Sequence, residues 1–73
     1  MTRYLDLIEE TKAHFAEGAR CVRAYTNDNT YIITRIQNSD EYWVAMEDAG
    51  FTKERSADLT PYFESVFGIE ATY

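Results

Sequence analysis

Cys21 and His14 are the side chains of this sequence best suited to covalent or acid–base chemistry, and each is the chain's only residue of its type. A thiolate beside an imidazole is the arrangement that cysteine-based nucleophilic catalysis needs. Cys21 falls early in a predicted strand and His14 on the polar side of a predicted helix, and no surrounding motif supports a pair. We therefore interpret Cys21 as a small core hydrophobe and expect no catalytic residues.

Glu10, His14 and Glu17 are spaced i, i+4 and i+7, so they share one side of a helix and could reach one metal ion. The same spacing is typical of a solvated helix face with an i,i+4 Glu–His contact, and that is our interpretation. The sequence contains no glycine-rich phosphate loop and no CxxC or HExxH motif. We therefore expect no metal, no cofactor and no enzymatic activity.

The composition predicts one small acidic domain over residues 1–73. The net charge is −6, and residues 40–73 hold eight acids against two bases. A negative net charge opposes attraction to nucleic acid or to an anionic membrane, and it favours basic partners. One cysteine cannot form an internal disulfide, and no apolar run is long enough to span a bilayer, so we expect a cytoplasmic protein.

The pattern of apolar residues predicts an α+β fold in the order α-β-β-β-α, with a three-stranded antiparallel meander and helices packed on one face. Thr2 is a candidate N-cap for the first helix, and Gly18 its C-terminal stop. Residues 51–59 are consistent with a loop, a short helical turn or an extended edge. A second helix is expected with Thr60 as its N-cap and Pro61 at its first position, and it should end at Gly68. The predicted strands are 20–26, 30–37 and 41–47, joined by turns at 27–29 and 38–40.

The apolar side of the first helix predicts the core. Leu5, Ile8 and Phe15 fall on one arc at about 100° per residue, and we expect them to pack on the sheet and on Phe63 and Phe67. The third strand alternates, with Tyr42, Val44 and Met46 on one face and Trp43 and Ala45 on the other.

Arginines on the predicted strands raise a nucleic-acid alternative. Arg20, Arg23 and Arg35 alternate with aromatic residues, and small sheet domains use such faces to stack single-stranded bases. The net negative charge and the absence of a basic run argue against it. We expect no direct nucleic-acid binding.

Acids flank the third strand and follow the exposed arc of the first helix. Asp40 and Glu41 precede the strand at a turn, and Glu47 and Asp48 follow it. Carboxylates fixed a few ångströms apart can imitate a row of phosphates, so a DNA-binding protein could bind this surface instead of DNA. We favour Asp40 and Glu41, because their turn should protrude. The candidate partner-binding residues are Asp6, Glu10, Asp28, Asp40, Glu41 and Tyr42.

The order of these features resembles a known family, the small acidic anti-CRISPR proteins of prophages that inhibit the type II-A RNA-guided DNA nuclease. The likeness lies in LDLIEETK (5–12), TNDNTYIITRIQN (26–38) and DEYWV (40–44), about the first two thirds of the chain. It implies an inhibitor in the cytoplasm of a host bacterium that enters the site where the nuclease reads DNA, and it assigns this role to Asp40 and Glu41. The C-terminal part lacks the family's dense acidic run, so another CRISPR effector or another basic phage-defence protein fits equally well.

A second hypothesis concerns the sheet. A small meander can leave one face uncovered, with Trp43 and Tyr31 as candidates for it. The protein would then be a regulatory or structural subunit, either a homodimer or a monomer bound to a non-nucleic-acid protein.

Overall fold

Five antiparallel strands and two helices are formed by the residues that the structure describes. The computed structural model describes residues 3–47 and 53–73. The sheet has the strand order β4-β3-β2-β1-β5, with every neighbouring pair antiparallel. The elements are α1 (Arg3–Ala16), β1 (Cys21–Tyr25), β2 (Thr30–Arg35), β3 (Tyr42–Met46), β4 (Lys53–Ser56), α2 (Thr60–Phe63) and β5 (Gly68–Thr72).

The α+β class and the β1–β2–β3 meander confirm the prediction, but the sheet gains one strand at each edge. β4 lies in the segment whose structure the sequence left open, and it pairs with β3. β5 begins at Gly68, where a helix end was expected, and it pairs with β1. The predicted N-cap Thr2 and the acid Asp48 lie outside the described residues.

Helix α1 ends at a left-handed glycine, as predicted. Gly18 has φ +103°, a conformation that costs glycine little. The amide of Gly18 donates to the carbonyl of Phe15 (3.1 Å), and that of Ala19 donates to the carbonyl of His14 (3.0 Å). These two bonds form a Schellman motif, which satisfies carbonyls that the helix leaves unpaired.

The buried side of α1 differs from the predicted one. Leu7 is 7% exposed, whereas Leu5 is 41% exposed. At 100° per residue, the buried arc is centred roughly 100° away from Leu5. The helix contacts β5 and α2 as well as β1, so it turns toward a surface that includes a strand the sequence did not predict.

The hairpin turns are held by short polar side chains, as predicted. In the first turn, the Thr26 hydroxyl accepts the amide of Asn29 (3.0 Å) and donates to the carbonyl of the same residue (2.8 Å). In the second, Asn38 adopts φ +62° and the Ser39 hydroxyl accepts the amide of Glu41 (3.0 Å). Asparagine tolerates this conformation better than most residues.

The core lies between α1, α2 and one face of the sheet. Phe63 is fully buried, but Phe67 is 56% exposed, contrary to the prediction. The second helix is only one turn long, and the amide of Phe67 already donates to the carbonyl of Tyr25, which starts the β5 pairing. The buried apolar residues of this core are Leu7, Ile8, Phe15, Val22, Ala24, Ile33, Tyr42, Val44, Leu59, Phe63 and Val66. Ala45, which is 6% exposed, is also buried but lies on the other face of the sheet.

The start of α2 is also shifted from its prediction. Thr60 lies inside the helix, and the preceding Leu59 occupies the N-cap position without a side-chain bond. The Asp58 carboxylate accepts the amide of Thr60 (3.0 Å), and this bond lowers the pKa of Asp58. An aspartate therefore supplies the acceptor that was assigned to a threonine.

Candidate functional site

Three acids lie on the exposed side of α1, directly opposite its buried arc. Asp6, Glu9 and Glu10 are exposed, while Leu7 and Ile8 between them face the core. Residues three or four apart on a helix have Cβ atoms about 5–6 Å apart, so these carboxylates form a compact group. We call Asp6, Glu9 and Glu10 the α1 acidic surface.

Four other acids of the described chain are already bound by side chains of the protein. Glu41 accepts a hydrogen bond from the Arg55 guanidinium, with Nε and Oε1 2.8 Å apart. Three more accept tyrosine hydroxyls, namely Glu70 from Tyr25 (2.8 Å), Glu54 from Tyr62 (2.6 Å) and Glu17 from Tyr73 (2.7 Å). The α1 acidic surface forms no ion pair with a described residue and has no such hydrogen bond.

These hydrogen bonds shift the tyrosine pKa values upward. Ionising a hydroxyl that donates to a carboxylate would remove the bond and place two negative charges together. The bond to Glu54 raises the pKa of Tyr62 to about 12, and the bonds to Glu70 and Glu17 raise the pKa values of Tyr25 and Tyr73.

Asp40 and Glu41, predicted as one acidic corner, have different surroundings. Glu41 reaches Arg55, whose cross-strand partner is Trp43, so it lies on the side of the sheet away from α1. Asp40 instead lines a cleft beside α1. The cleft has a volume of about 380 Å³, and its lining includes Lys12, Phe15, Arg35 and Tyr42. Two cations, Lys12 and Arg35, thus line the same cleft as Asp40 and offset its negative charge.

Tyr42 and Asp28 do not extend this corner. Tyr42 is 8% exposed, and its ring packs on Phe15 with centroids 5.6 Å apart, so it lies in the core. Asp28 is exposed in the β1–β2 turn, at the other end of the sheet. The six residues of β2 separate the two turns by about 20 Å, so one small partner patch does not cover both.

Cys21 and His14 lie on opposite sides of the sheet. Cys21 is half-buried on the side of the sheet away from α1, so the sheet separates it from His14. His14 Nδ1 lies 2.7 Å from the Tyr73 hydroxyl. That hydroxyl donates to Glu17, so Nδ1 is the nitrogen that donates to it. No three His, Cys, Asp or Glu side chains converge as metal ligands within residues 3–47 and 53–73.

The side of the sheet away from α1, called the open face below, has no helix packed on it among the described elements. One row of cross-strand neighbours crosses it. From the β4 edge to the β5 edge this row is Lys53, Ala45, Ile32, Arg23 and Glu70. Trp43, which is 37% exposed, lies in the next row beside Arg55.

The sequence missed several residues of the open face. Lys53, Arg55 and Glu70 were unassigned because β4 and β5 were not predicted. Tyr31, a candidate for this face, lies on the helix side and packs edge-on against Tyr62, with centroids 5.7 Å apart. Arg35 also lies on the helix side, where it lines the cleft. The alternation of Ile69 and Ala71 with Glu70 and Thr72 is the signal that could have revealed β5.

Comparison of the chain with protein-family models, with curated protein sequences and with solved structures finds no match. Within the two described ranges, neither helix has the length and apolar character needed to cross a membrane.

Proposed function

We propose that this protein is a non-enzymatic inhibitor that binds a basic DNA-binding protein through the α1 acidic surface and blocks its access to DNA. The observation that carries this proposal is the division of the acids. Glu17, Glu41, Glu54 and Glu70 are engaged within the chain, whereas the α1 acidic surface remains exposed on a single rigid element.

The spacing of the α1 acidic surface supports competition with DNA. A DNA-binding site is lined with Lys and Arg side chains whose affinity comes largely from neutralising phosphates. Carboxylates about 5–6 Å apart on a helix offer several charges to such a site at once. Since a folded helix already fixes them, binding does not require the backbone to become ordered.

The family resemblance suggests the class of target. Short motifs in the sequence resemble those of prophage anti-CRISPR proteins, so the partner that we propose is a CRISPR effector nuclease or another DNA-binding phage-defence protein in the bacterial cytoplasm. Asp40 and Glu41 are the residues that the resemblance assigns to the contact. We give the α1 acidic surface the larger share, because Glu41 is bound to Arg55 and Asp40 lies near Lys12 and Arg35.

A binding competition against a panel of purified RNA-guided nucleases, each loaded with its guide, tests the proposal. We expect at least one of them to bind the protein with an affinity that falls as salt rises, and we expect target DNA to compete. Asp6→Ala with Glu10→Ala should weaken that binding by about tenfold or more, since each charge facing a basic site contributes on the order of a kcal/mol.

Glu47→Ala with Glu64→Ala is the matched control. It removes the same net charge from exposed positions outside the α1 acidic surface. An equal loss in both double variants would mean that only net charge matters, which contradicts a defined surface. A loss confined to Asp40→Ala with Glu41→Ala would assign the contact to the turn. If no nuclease binds in competition with DNA, the proposed function is wrong.

A further inference from the structure

The open face carries opposite charges at its two edges. Lys53 lies on the edge strand β4 and Glu70 on the edge strand β5, at the two ends of one cross-strand row. Both are exposed, and neither forms an ion pair with another described residue. Glu70 Oε1 accepts a hydrogen bond from the Tyr25 hydroxyl (2.8 Å), which leaves the negative charge and the second carboxylate oxygen for a partner. The middle of the row, at β2, is Ile32. A surface arranged in this way can be complementary to itself.

We propose that two copies of this chain pack through their open faces about a two-fold axis that runs parallel to the strands. This operation keeps each row in place and exchanges the two edges, so β4 of one copy lies over β5 of the other. Lys53 then faces the second copy's Glu70, and symmetry repeats the contact. The central Ile32 lies on the axis and meets its own equivalent.

The alternative axis, perpendicular to the strands in the plane between the sheets, is disfavoured. It places each edge strand over itself, so Lys53 would face the second copy's Lys53, and Glu70 would face the second copy's Glu70. Like charges in contact are a recognised way in which interfaces exclude wrong orientations. The charges of the two edges therefore select the axis parallel to the strands.

The apolar contacts agree with the same axis. Trp43 is one strand from β2 on one side, and Cys21 is one strand from β2 on the other, in the row that contains Thr34. The two-fold places Trp43 over the second copy's half-buried Cys21. Aromatic side chains are enriched in interface centres, where they remove much apolar surface from water.

The size of the face sets the strength of the dimer. Four strand spacings of about 4.8 Å and a strand length of about 17 Å give a footprint of roughly 300 Å² for each copy. A stable interface buries about 800 Å² on each partner. The dimer is therefore weak, and it forms at high micromolar rather than nanomolar concentration.

Single-stranded nucleic acid fits this face less well than a second copy. Arg55 is neutralised by Glu41 at 2.8 Å, and Arg23 is directly opposite Glu70 on the neighbouring strand. The Nε atom of Arg23 is buried without a hydrogen-bond partner among the described residues, so part of that cation is already covered. Among the described residues of the open face, this leaves Lys53 as the cation to attract phosphates.

Sedimentation equilibrium from low micromolar to near-millimolar concentration tests the dimer, with the emission of Trp43 as a second readout. Trp43 is the chain's only tryptophan. We expect its emission to shift to shorter wavelength over the same concentration range in which the mass doubles. Trp43→Ala should remove the association while leaving the circular dichroism spectrum intact, because this side chain is partly exposed.

A charge exchange tests the axis. Lys53→Glu and Glu70→Lys should each weaken the dimer by about tenfold, since either change places like charges together in both symmetry-related contacts. The double variant should return to within about twofold of the original, because the exchanged charges face each other again. Glu9→Lys makes the same charge change as Glu70→Lys but on α1, and it should leave the association unchanged.

A monomer at every concentration would overturn the proposal, as would a double variant no stronger than the single ones. Titration with a single-stranded oligonucleotide gives one more outcome. If it changes the Trp43 emission of a protein that stays monomeric, the open face binds nucleic acid and the dimer is wrong.

Discussion

Leu5 and Leu7 provide a direct test of how α1 is oriented on the sheet. Both leucines lie in the same turn, but Leu7 is 7% exposed and Leu5 is 41% exposed. Replacing a buried leucine with alanine removes three carbon atoms from the core and leaves a cavity, at a cost of about 2–5 kcal/mol. A domain of this length is stable by roughly 4–11 kcal/mol in all, so Leu7→Ala should remove a large part of its stability.

The expected cost of Leu5→Ala is much smaller. Full burial of a leucine contributes about 1.5–3 kcal/mol, and Leu5 keeps much of its surface in water. Alanine is also the better helix former, which offsets part of the loss. We expect less than about 1 kcal/mol for Leu5→Ala. The predicted fall in Tm is at least about 10 °C for Leu7→Ala and a few degrees for Leu5→Ala.

Thermal and urea unfolding, followed by circular dichroism, measure both variants. The slope of the urea transition should stay constant, so that a shifted midpoint reports stability alone. Equal costs for the two substitutions, or a larger cost for Leu5→Ala, would show that α1 does not bury the arc described here. In that case, alanine substitutions along the whole of α1 would identify its buried side.

Two further predictions concern backbone strain and pH. Neither Gly18 nor Gly68 has a neighbouring atom within 4 Å of an added Cβ, but only Gly18 has a positive φ. Gly18→Ala should therefore destabilise the protein by about 1 kcal/mol in urea unfolding, and Gly68→Ala should be neutral or slightly stabilising; equal effects would contradict the left-handed cap. The pKa of Tyr62 is raised to about 12, so its bond to Glu54 stabilises the fold fully below pH 10, and this contribution is lost as the pH rises from 10 to 12. A difference ultraviolet titration of the wild type against Tyr62→Phe should show the late ionisation of Tyr62. Glu54→Gln should return the pKa of Tyr62 toward 10. If the difference titration shows that Tyr62 already ionises near 10 in the wild type, the bond to Glu54 is refuted.

The strands of the meander could be predicted because their local pattern is strong. Strand β3 alternates in sequence, and the structure places Val44 inside and Trp43 outside, as expected. The positions of the turns were also predictable, because Asn tolerates the positive φ that Asn38 adopts and the Ser39 hydroxyl bonds the backbone of its own segment. Information of this kind lies within a few residues and needs no distant partner.

The edge strands and the register could not be predicted in the same way. Strand β4 has the sequence KERS, which no propensity favours as a strand, and its pairing with β3 holds it. Strand β5 begins at Gly68, soon after the helical turn that contains Pro61. Proline followed by glycine in this order locally predicts a helix with its C-terminal cap. Antiparallel pairing with β1 makes this segment a strand instead.

The sequence by itself determined the charge, the α+β class, the extent of α1 and the alternation of β3, because composition and periodicity are local properties. The tertiary structure alone decided which carboxylates remain available. Glu41 meets Arg55 and Glu70 meets Tyr25 across strand pairs distant in the chain, whereas Asp6, Glu9 and Glu10 share a helix side that no described element covers. A carboxylate's availability depends on the partners that folding brings to it, and those partners come from long-range pairing that residue spacing does not encode.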